Sequence, residues 1–151
     1  MSNRHPVVVL CGFMGTGKTA TGAALSSLLS VPFIDNDRVI EESQGRPVAD
    51  IFARDGEARF RELEGEVVAR IAADERLQTG AVIATGGGTL LRDDVHVTLA
   101  TLGTMVVLDA SLESIAERAG ALRDRPLLPR SAGGNVDIDA MRALYALRAP
   151  Q

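Results

Sequence analysis

The stretch "PVVVLCGFMGTGKT", residues 6–19, decides the fold of this chain. Its second part, Gly12 to Thr19, fills every fixed position of the phosphate-loop pattern G-x-x-x-x-G-K-[ST]. An apolar run precedes the pattern and a helical pattern follows it to about Leu29, which is the strand, loop and helix context that such a loop requires. We therefore predict a binding site for a nucleoside triphosphate, in preference to a tight glycine turn without a ligand.

The chemistry of this loop depends on its backbone and on two side chains. Its glycines allow consecutive N–H groups to point into one concavity beside the positive end of a helix, where phosphate oxygens bind. Lys18 is expected to reach the β- and γ-phosphates, and the hydroxyl of Thr19 is expected to bind Mg²⁺. The residues predicted to contact ATP are Gly12, Met14, Gly15, Thr16, Gly17, Lys18 and Thr19.

Three more short apolar runs follow along the chain, and helical patterns separate them. The runs are "PFID" (32–35), "AVIAT" (81–85) and "TMVVLD" (104–109). This alternation predicts a parallel sheet with helices on both faces, a three-layer α/β fold in one domain over residues 1–151. The helices are expected at 17–29, in short pieces within 37–55 that break at Gly45-Arg46-Pro47, at 57–78, at about 93–101, from the capping residue Ser111, and at 137–148.

Composition limits the class of protein. The chain has 151 residues, of which 46% are hydrophobic and 24% charged, as expected for one globular domain. Its net charge of -4 without a Lys/Arg block argues against a broad nucleic-acid surface. The first apolar run is too short for a signal sequence or a membrane span, so we expect a soluble cytoplasmic protein. Cys11 is expected to be a small buried thiol.

Two carboxylates lie where the second predicted strand ends. Asp35 and Asp37 are two residues apart in "FIDNDRVIE", so on an extended segment both can face the bound phosphates. One carboxylate can then support the metal, and the other can accept a proton from an attacking hydroxyl. The alternative is that either aspartate caps the helix that follows.

Three further segments have both a plain and a functional interpretation. The row Glu57, Arg61 and Glu64, taken alone, favours solvated ion pairs along one helix face. The triplet Gly86-Gly87-Gly88 follows the third predicted strand and could be a flexible turn. The segment "RDRPLLPRSAGGN" (123–135) has no periodicity, which is typical of a mobile surface loop, and its length is compatible with a lid at about 121–135.

Taken in order, these motifs resemble those of the shikimate kinase family. The matching segments are "GFMGTGKT", "FIDNDRVIE", "GRPVADIFARDGEARFRELE", "VIATGGGTL", "RPLL" and "RAP", which together span roughly residues 7–150. Several motifs in one order are more specific than the phosphate loop, which many unrelated kinases share. The resemblance implies Mg²⁺- and ATP-dependent phosphorylation of the 3-hydroxyl of shikimate, giving shikimate 3-phosphate and ADP, a step toward chorismate and the aromatic amino acids.

The resemblance also implies roles for single residues. Asp37 would bind the substrate hydroxyls and serve as base, and Asp35 would support the water shell of Mg²⁺. Arg61 and Arg148 would grip the substrate carboxylate, with Glu64 orienting Arg61. The remaining matches are Gly86, Gly87 and Gly88 against the substrate, Gly87 foremost; Phe52 and Phe60 as walls of its pocket; Arg125 in the lid, reaching phosphate and substrate; and Arg118 on adenine. Residues 36–64 would form a helical substrate-binding segment.

The chain departs from the family at its end. Shikimate kinases continue past "RAP" with a strand, a loop that contacts adenine and a helix, whereas this sequence stops at Gln151. We expect a shortened sequence, and either a monomer or one domain of a longer fused enzyme. Two alternatives stay open: another small-molecule kinase, acting on gluconate or a nucleoside monophosphate, and an inactive relative retained for binding.

Overall fold

A parallel four-stranded sheet organises the protein. The computed structural model describes residues 6–118 and 127–148. The strands are β1 (Val7–Cys11), β2 (Phe33–Asp35), β3 (Ala81–Ala84) and β4 (Thr104–Val107), and their order in the sheet is β2-β3-β1-β4. All three neighbouring pairs are parallel, with Val9 paired to Ile83 and to Met105. The predicted parallel sheet is confirmed, and each strand is one or two residues shorter than its apolar run.

Helices cover both faces of the sheet, which confirms the three-layer arrangement. They are α1 (Lys18–Leu29), α2 (Asn36–Gln44), α3 (Val48–Ala72), α4 (Asp93–Leu102), α5 (Leu112–Arg118) and α6 (Ile138–Arg148). The sequence analysis does not predict two short 3₁₀ helices, Glu75–Thr79 and Thr89–Leu91, as separate elements. Among the described residues, no helix is both long and apolar enough to cross a membrane.

The two sheet faces are built by alternate residues of the same strands. Val9, Cys11 and Ile83 pack into the large core formed with α3 and α4. Leu10 and Val82, their neighbours in the strands, pack on the other face against side chains of α1. Because successive strand residues point to opposite faces, two buried faces require continuous apolar runs. Cys11 is fully buried, as expected, and burial raises the pKa of its thiol.

The long helix is broken before Glu57, as the sequence predicts, but it ends earlier than expected. It begins at Val48, is interrupted at Gly56, whose φ of 80° is favourable for glycine, and ends at Ala72 rather than near Gln78. The carboxylate of Asp74 accepts a hydrogen bond from the backbone N–H of Arg76 and caps a separate 3₁₀ turn. This local side-chain bond competes with continuation of the helix, which apolar periodicity alone does not reveal.

The second half of the aperiodic segment forms an ordered turn. Arg130 and Val136 make an antiparallel bridge, and the N–H of Asp137 donates to the carbonyl of Pro129 at 3.0 Å. Leu128 is buried in a small core with Phe13 and Met141. The described part of the predicted loop, residues 127–135, is therefore irregular but held by a bridge and backbone hydrogen bonds. Residues 121–126 of the predicted lid lie outside the described residues, and its motion stays a prediction.

Candidate functional site

The phosphate loop is shaped by its glycines and held by its own lysine. Gly12, Gly15 and Gly17 have φ values of 132°, 78° and 97°, which a side chain would disfavour. The ammonium group of Lys18 donates to the carbonyls of Gly12 and Phe13 at 2.7 and 2.8 Å. The loop thus surrounds a cation at the start of α1, as phosphate binding requires.

Asp35 is confirmed as a helix cap, and its carboxylate also contacts Thr19. Its Oδ1 accepts from the N–H groups of Asp37 and Arg38 at 3.1 and 3.4 Å, so Asp35 is the cap of α2. Its Oδ2 accepts a 2.7 Å hydrogen bond from the hydroxyl of Thr19. The cap fixes the carboxylate beside the end of the phosphate loop, where hard oxygen atoms suit Mg²⁺.

Two cavities meet at Asp37. One is lined by the phosphate loop and includes Lys18, Thr19 and Asp35. The other is lined by Phe52, Phe60, Arg61, Glu64, Leu127 and Arg148. Asp37, Met14 and Gly87 line both of them. A carboxylate at this junction can touch groups that are bound on either side.

A buried ion pair forms one wall of the second cavity. Glu64 is 1% exposed, and its Oε2 accepts from Nη1 of Arg61 at 2.6 Å. Burial raises the pKa of Glu64, while Arg61 and the hydroxyl of Thr89 act in the opposite direction. Burial alone would lower the pKa of Arg61, but Glu64 and Glu57 offset it and raise that pKa. The solvated row favoured by the helix pattern is therefore wrong for this pair.

Two arginines from distant elements face the same cavity. Arg61 lies on α3, Arg148 lies at the end of α6, and their side chains are 13% and 12% exposed. Burial, with the adjacent charge of Arg61, lowers the pKa of Arg148. Between them lies Glu57, whose Oε1 is 2.8 Å from Nη2 of Arg61 and 3.9 Å from Nη2 of Arg148. Two poorly hydrated cations side by side are an arrangement that suits an anion.

Each glycine of the triplet leaves room for a different part of the site. A β-carbon at Gly86 would lie 2.6 Å from Oε1 of Glu64 and 2.8 Å from Oδ1 of Asp37. One at Gly88 would lie 2.5 Å from Nη2 of Arg61, and one at Gly87 would lie 3.0 Å from the backbone nitrogen of Met14. None of the three has a positive φ. The triplet is needed for close approach, so the flexible turn is not its main explanation.

The remaining predicted residues divide into four groups. Phe52 and Phe60 pack together with ring centroids 4.6 Å apart and line the second cavity. Arg118 lies at the phosphate loop, with Nη1 3.5 Å from the carbonyl oxygen of Gly15, and contact with adenine stays a prediction. Thr16 is 8% exposed, and its hydroxyl donates to the carbonyl of Phe13. Arg125 lies outside the described residues.

Sequence reasoning missed two residues that support Arg61. The hydroxyl of Thr89 donates to Oε1 of Glu64 at 2.5 Å across 25 residues of sequence. Nη1 of Arg92 donates to the backbone carbonyl of Arg61 at 3.1 Å, and its guanidinium lies against Gly65. Thr89 directly follows the triplet, and a mid-helix glycine such as Gly65 often marks close packing, but neither signal identifies the partner.

Comparisons with known proteins agree with this geometry. A family model described as shikimate kinase matches residues 14–149. A shikimate kinase from Symbiobacterium thermophilum is 46% identical over 145 residues, which are 95% of this chain and 79% of that protein. A shikimate kinase from Acinetobacter baumannii, solved in complex with shikimate, has a TM-score of 0.86 and 31% identity over 98% of this chain and 78% of its own.

The gluconate alternative has weaker support. A gluconokinase from Sinorhizobium meliloti covers 93% of this chain and 73% of its own, with 21% identity and a TM-score of 0.50, so the likeness concerns the fold alone. The family model over residues 14–149, the relative from Symbiobacterium thermophilum and the structure from Acinetobacter baumannii are instead all described as shikimate kinase. The chain belongs to the shikimate kinase family.

Proposed function

We propose that this protein transfers the γ-phosphoryl group of ATP to the 3-hydroxyl of shikimate, giving shikimate 3-phosphate and ADP. The observation that carries the proposal is the position of Asp37, which lines both the phosphate-loop cavity and the cavity with Arg61 and Arg148. Shikimate has one carboxylate and three hydroxyls. A site for it needs a cation for the acid and a carboxylate for the hydroxyls, and the second cavity has both.

The two arginines suit the carboxylate of shikimate. Arginine presents a planar fork that matches a carboxylate, and its charge is weakly hydrated, so it retains strong hydrogen bonds when buried. Glu64 accepts a hydrogen bond from Nη1 of Arg61, which restricts the orientation of the guanidinium group. Phe52 and Phe60 offer an apolar wall for the ring. In this arrangement, Asp37 accepts the proton of the attacking hydroxyl and aligns its oxygen with the γ-phosphate.

Lys18 neutralises phosphate charge in the proposed reaction. Its ammonium group now bonds to the carbonyls of Gly12 and Phe13, so it is already directed into the loop. Phosphoryl transfer asks a protein mainly for alignment and charge neutralisation, and the loop backbone and Lys18 provide both. We extend this role to Arg118, which lies at Gly15, and to Arg125 of the predicted lid.

The oxygen atoms at the end of the phosphate loop fit a magnesium ion. Thr19 and Asp35 place a hydroxyl and a carboxylate side by side, and Mg²⁺ in nucleotide sites typically takes one or two such ligands together with phosphates and waters. We propose that Thr19 binds the ion directly and that Asp35 holds its water shell. When bound, Mg²⁺ would neutralise charge on the β- and γ-phosphates.

A coupled ADP-release assay with several acceptors tests the proposal. Purified protein with ATP and Mg²⁺ is offered shikimate, gluconate or a nucleoside monophosphate, and the products are weighed by mass spectrometry. We expect a rate only with shikimate, and a product heavier by one phosphoryl group. A rate with another acceptor alone would assign the chain a different substrate, and ATP binding without any transfer would identify an inactive relative.

A further inference from the structure

Glu57 holds the arginine pair in the free protein. Its Oε1 accepts a 2.8 Å hydrogen bond from Nη2 of Arg61 and lies 3.9 Å from Nη2 of Arg148. A carboxylate oxygen therefore already stands where two guanidinium groups converge. We propose that Glu57 is an internal competitor for the carboxylate of shikimate, which must displace it to bind. This inference rests on the proposed binding of that carboxylate by Arg61 and Arg148.

The charges of the site explain why a second carboxylate is needed there. Arg61 and Arg148 are nearly buried, and Glu64 is the buried carboxylate among their described partners. Glu64 has already committed Oε2 to Arg61 and Oε1 to Thr89. The carboxylates that act on the two arginines are Glu64 and Glu57, so without Glu57 one anion would face two desolvated cations, a positive excess that costs free energy in a poorly hydrated site. Glu57 reduces that excess until a substrate carboxylate arrives.

Glu57 can leave at low cost, unlike Glu64. Its side chain is 47% exposed, compared with 1% for Glu64, so water can solvate the carboxylate once it withdraws. It is also the first residue after Gly56, where α3 is interrupted at a φ of 80°. Because Glu57 is exposed, solvent screens its contacts and keeps their net free energy small. Glu57 can therefore offset the positive charge of the free site and still be displaced by a substrate carboxylate.

The test variant is Glu57→Gln, which keeps the size of the side chain and removes its charge. By calorimetric titration with shikimate, we expect its Kd to fall about two- to fivefold, as loss of an exposed ion-pair competitor predicts. KM for shikimate should fall in parallel, while kcat and the Kd of ATP stay unchanged. Glu57→Asp, which keeps the charge on a shorter side chain, should lie between the two.

Two controls sharpen the test. Glu62→Gln removes an equivalent charge from the outer face of α3, where Glu62 pairs with Arg59 at 2.9 Å, and should leave shikimate affinity unchanged. The methyl ester of shikimate has no charged carboxylate to compete with Glu57. Its Kd should therefore be the same for the parent protein and for Glu57→Gln.

The outcomes separate this proposal from the one on which it rests. If Glu57→Gln weakens shikimate binding, Glu57 positions Arg61 for the substrate, and the competitor role is wrong. An unchanged Kd would also overturn it, provided that Arg61→Ala still weakens binding. If Arg61→Ala has no effect on shikimate affinity, the arginine pair is not the carboxylate site and both proposals fail together.

Discussion

The hydroxyl of Thr89 lies 2.5 Å from Oε1 of Glu64, and both side chains are 1% exposed. The other oxygen of Glu64 accepts from Arg61, so one carboxylate links the segment after the glycine triplet to α3. We infer that Thr89 is a positioning residue, which acts on the substrate through Glu64 and Arg61. Thr89 itself lines neither of the two cavities that Asp37 lines.

Thr89→Val tests this link, because valine keeps the shape and removes the hydroxyl. A buried hydrogen bond to a charged group is lost, so we expect a loss of about 2 kcal/mol in unfolding free energy. KM for shikimate should rise while KM for ATP stays unchanged. Thr89→Ser retains the hydroxyl and should remain close to the parent in both. A stability loss with an unchanged shikimate KM would make Thr89 purely structural.

Asp37→Asn should nearly abolish phosphoryl transfer and leave ATP binding largely intact. The amide keeps the shape but accepts protons poorly, so loss of a general base predicts a decrease in kcat of about 100-fold or more. Single-turnover measurements with bound ATP report this step directly. Near-normal turnover would remove Asp37 from the role of base and leave it, at most, as a contact for hydroxyls.

Arg61→Ala should weaken shikimate binding by about tenfold or more, since a carboxylate loses a charged hydrogen-bond partner. The affinity for ATP should change little. Arg59→Ala is the matched control, because Arg59 lies on the same helix and pairs with Glu62 and Glu66 on the exposed face. Titrations with both ligands on both variants provide the comparison. Equal effects of Arg61→Ala on the two ligands would contradict its assignment.

Gly87→Ala and Gly88→Ala should differ in which ligand they affect. A β-carbon at Gly88 meets the guanidinium of Arg61, so its variant should raise KM for shikimate alone. A β-carbon at Gly87 meets the backbone of the phosphate loop at Met14, so its variant should impair ATP as well. The sequence alone leads us to expect a shikimate effect at Gly87. Steady-state kinetics with each substrate varied in turn decides between the two patterns.

Gly22→Ala tests the packing of α1 on the sheet. Helix propensity alone predicts that alanine would stabilise the protein by up to about 1 kcal/mol. A β-carbon at Gly22 would instead collide with the ring of Phe33, so we expect a net loss of about 1–3 kcal/mol. Gly65→Ala is the control, because its β-carbon meets only the flexible end of Arg92. Urea denaturation of both variants should give the larger loss for Gly22→Ala.

Local sequence signals predict most of the fold. The strands β1 to β4 follow from the apolar runs, and the helix break at Gly45-Arg46-Pro47 follows from the backbone preferences of glycine and proline. The cap at Ser111 follows from a short side-chain hydrogen bond to the backbone. The helix prediction is wrong where Asp74 caps a separate turn, and the bridge between Arg130 and Val136 is a detail that the sequence does not predict. Periodicity cannot report either feature, because both depend on hydrogen bonds rather than on the spacing of apolar residues.

The sequence by itself determined the phosphate loop and the parallel sheet, because each follows from consecutive residues whose spacing dictates backbone geometry. Only the tertiary structure decided which charges are buried. Three features of the site join separate elements of the fold. They are the hydrogen bond of Glu64 with Thr89, the contacts of Glu57 with both Arg61 and Arg148, and the position of Asp37 in both cavities. An ion pair is buried only if other side chains pack over it. Those side chains come from residues that are distant in sequence, so a local pattern cannot reveal the burial.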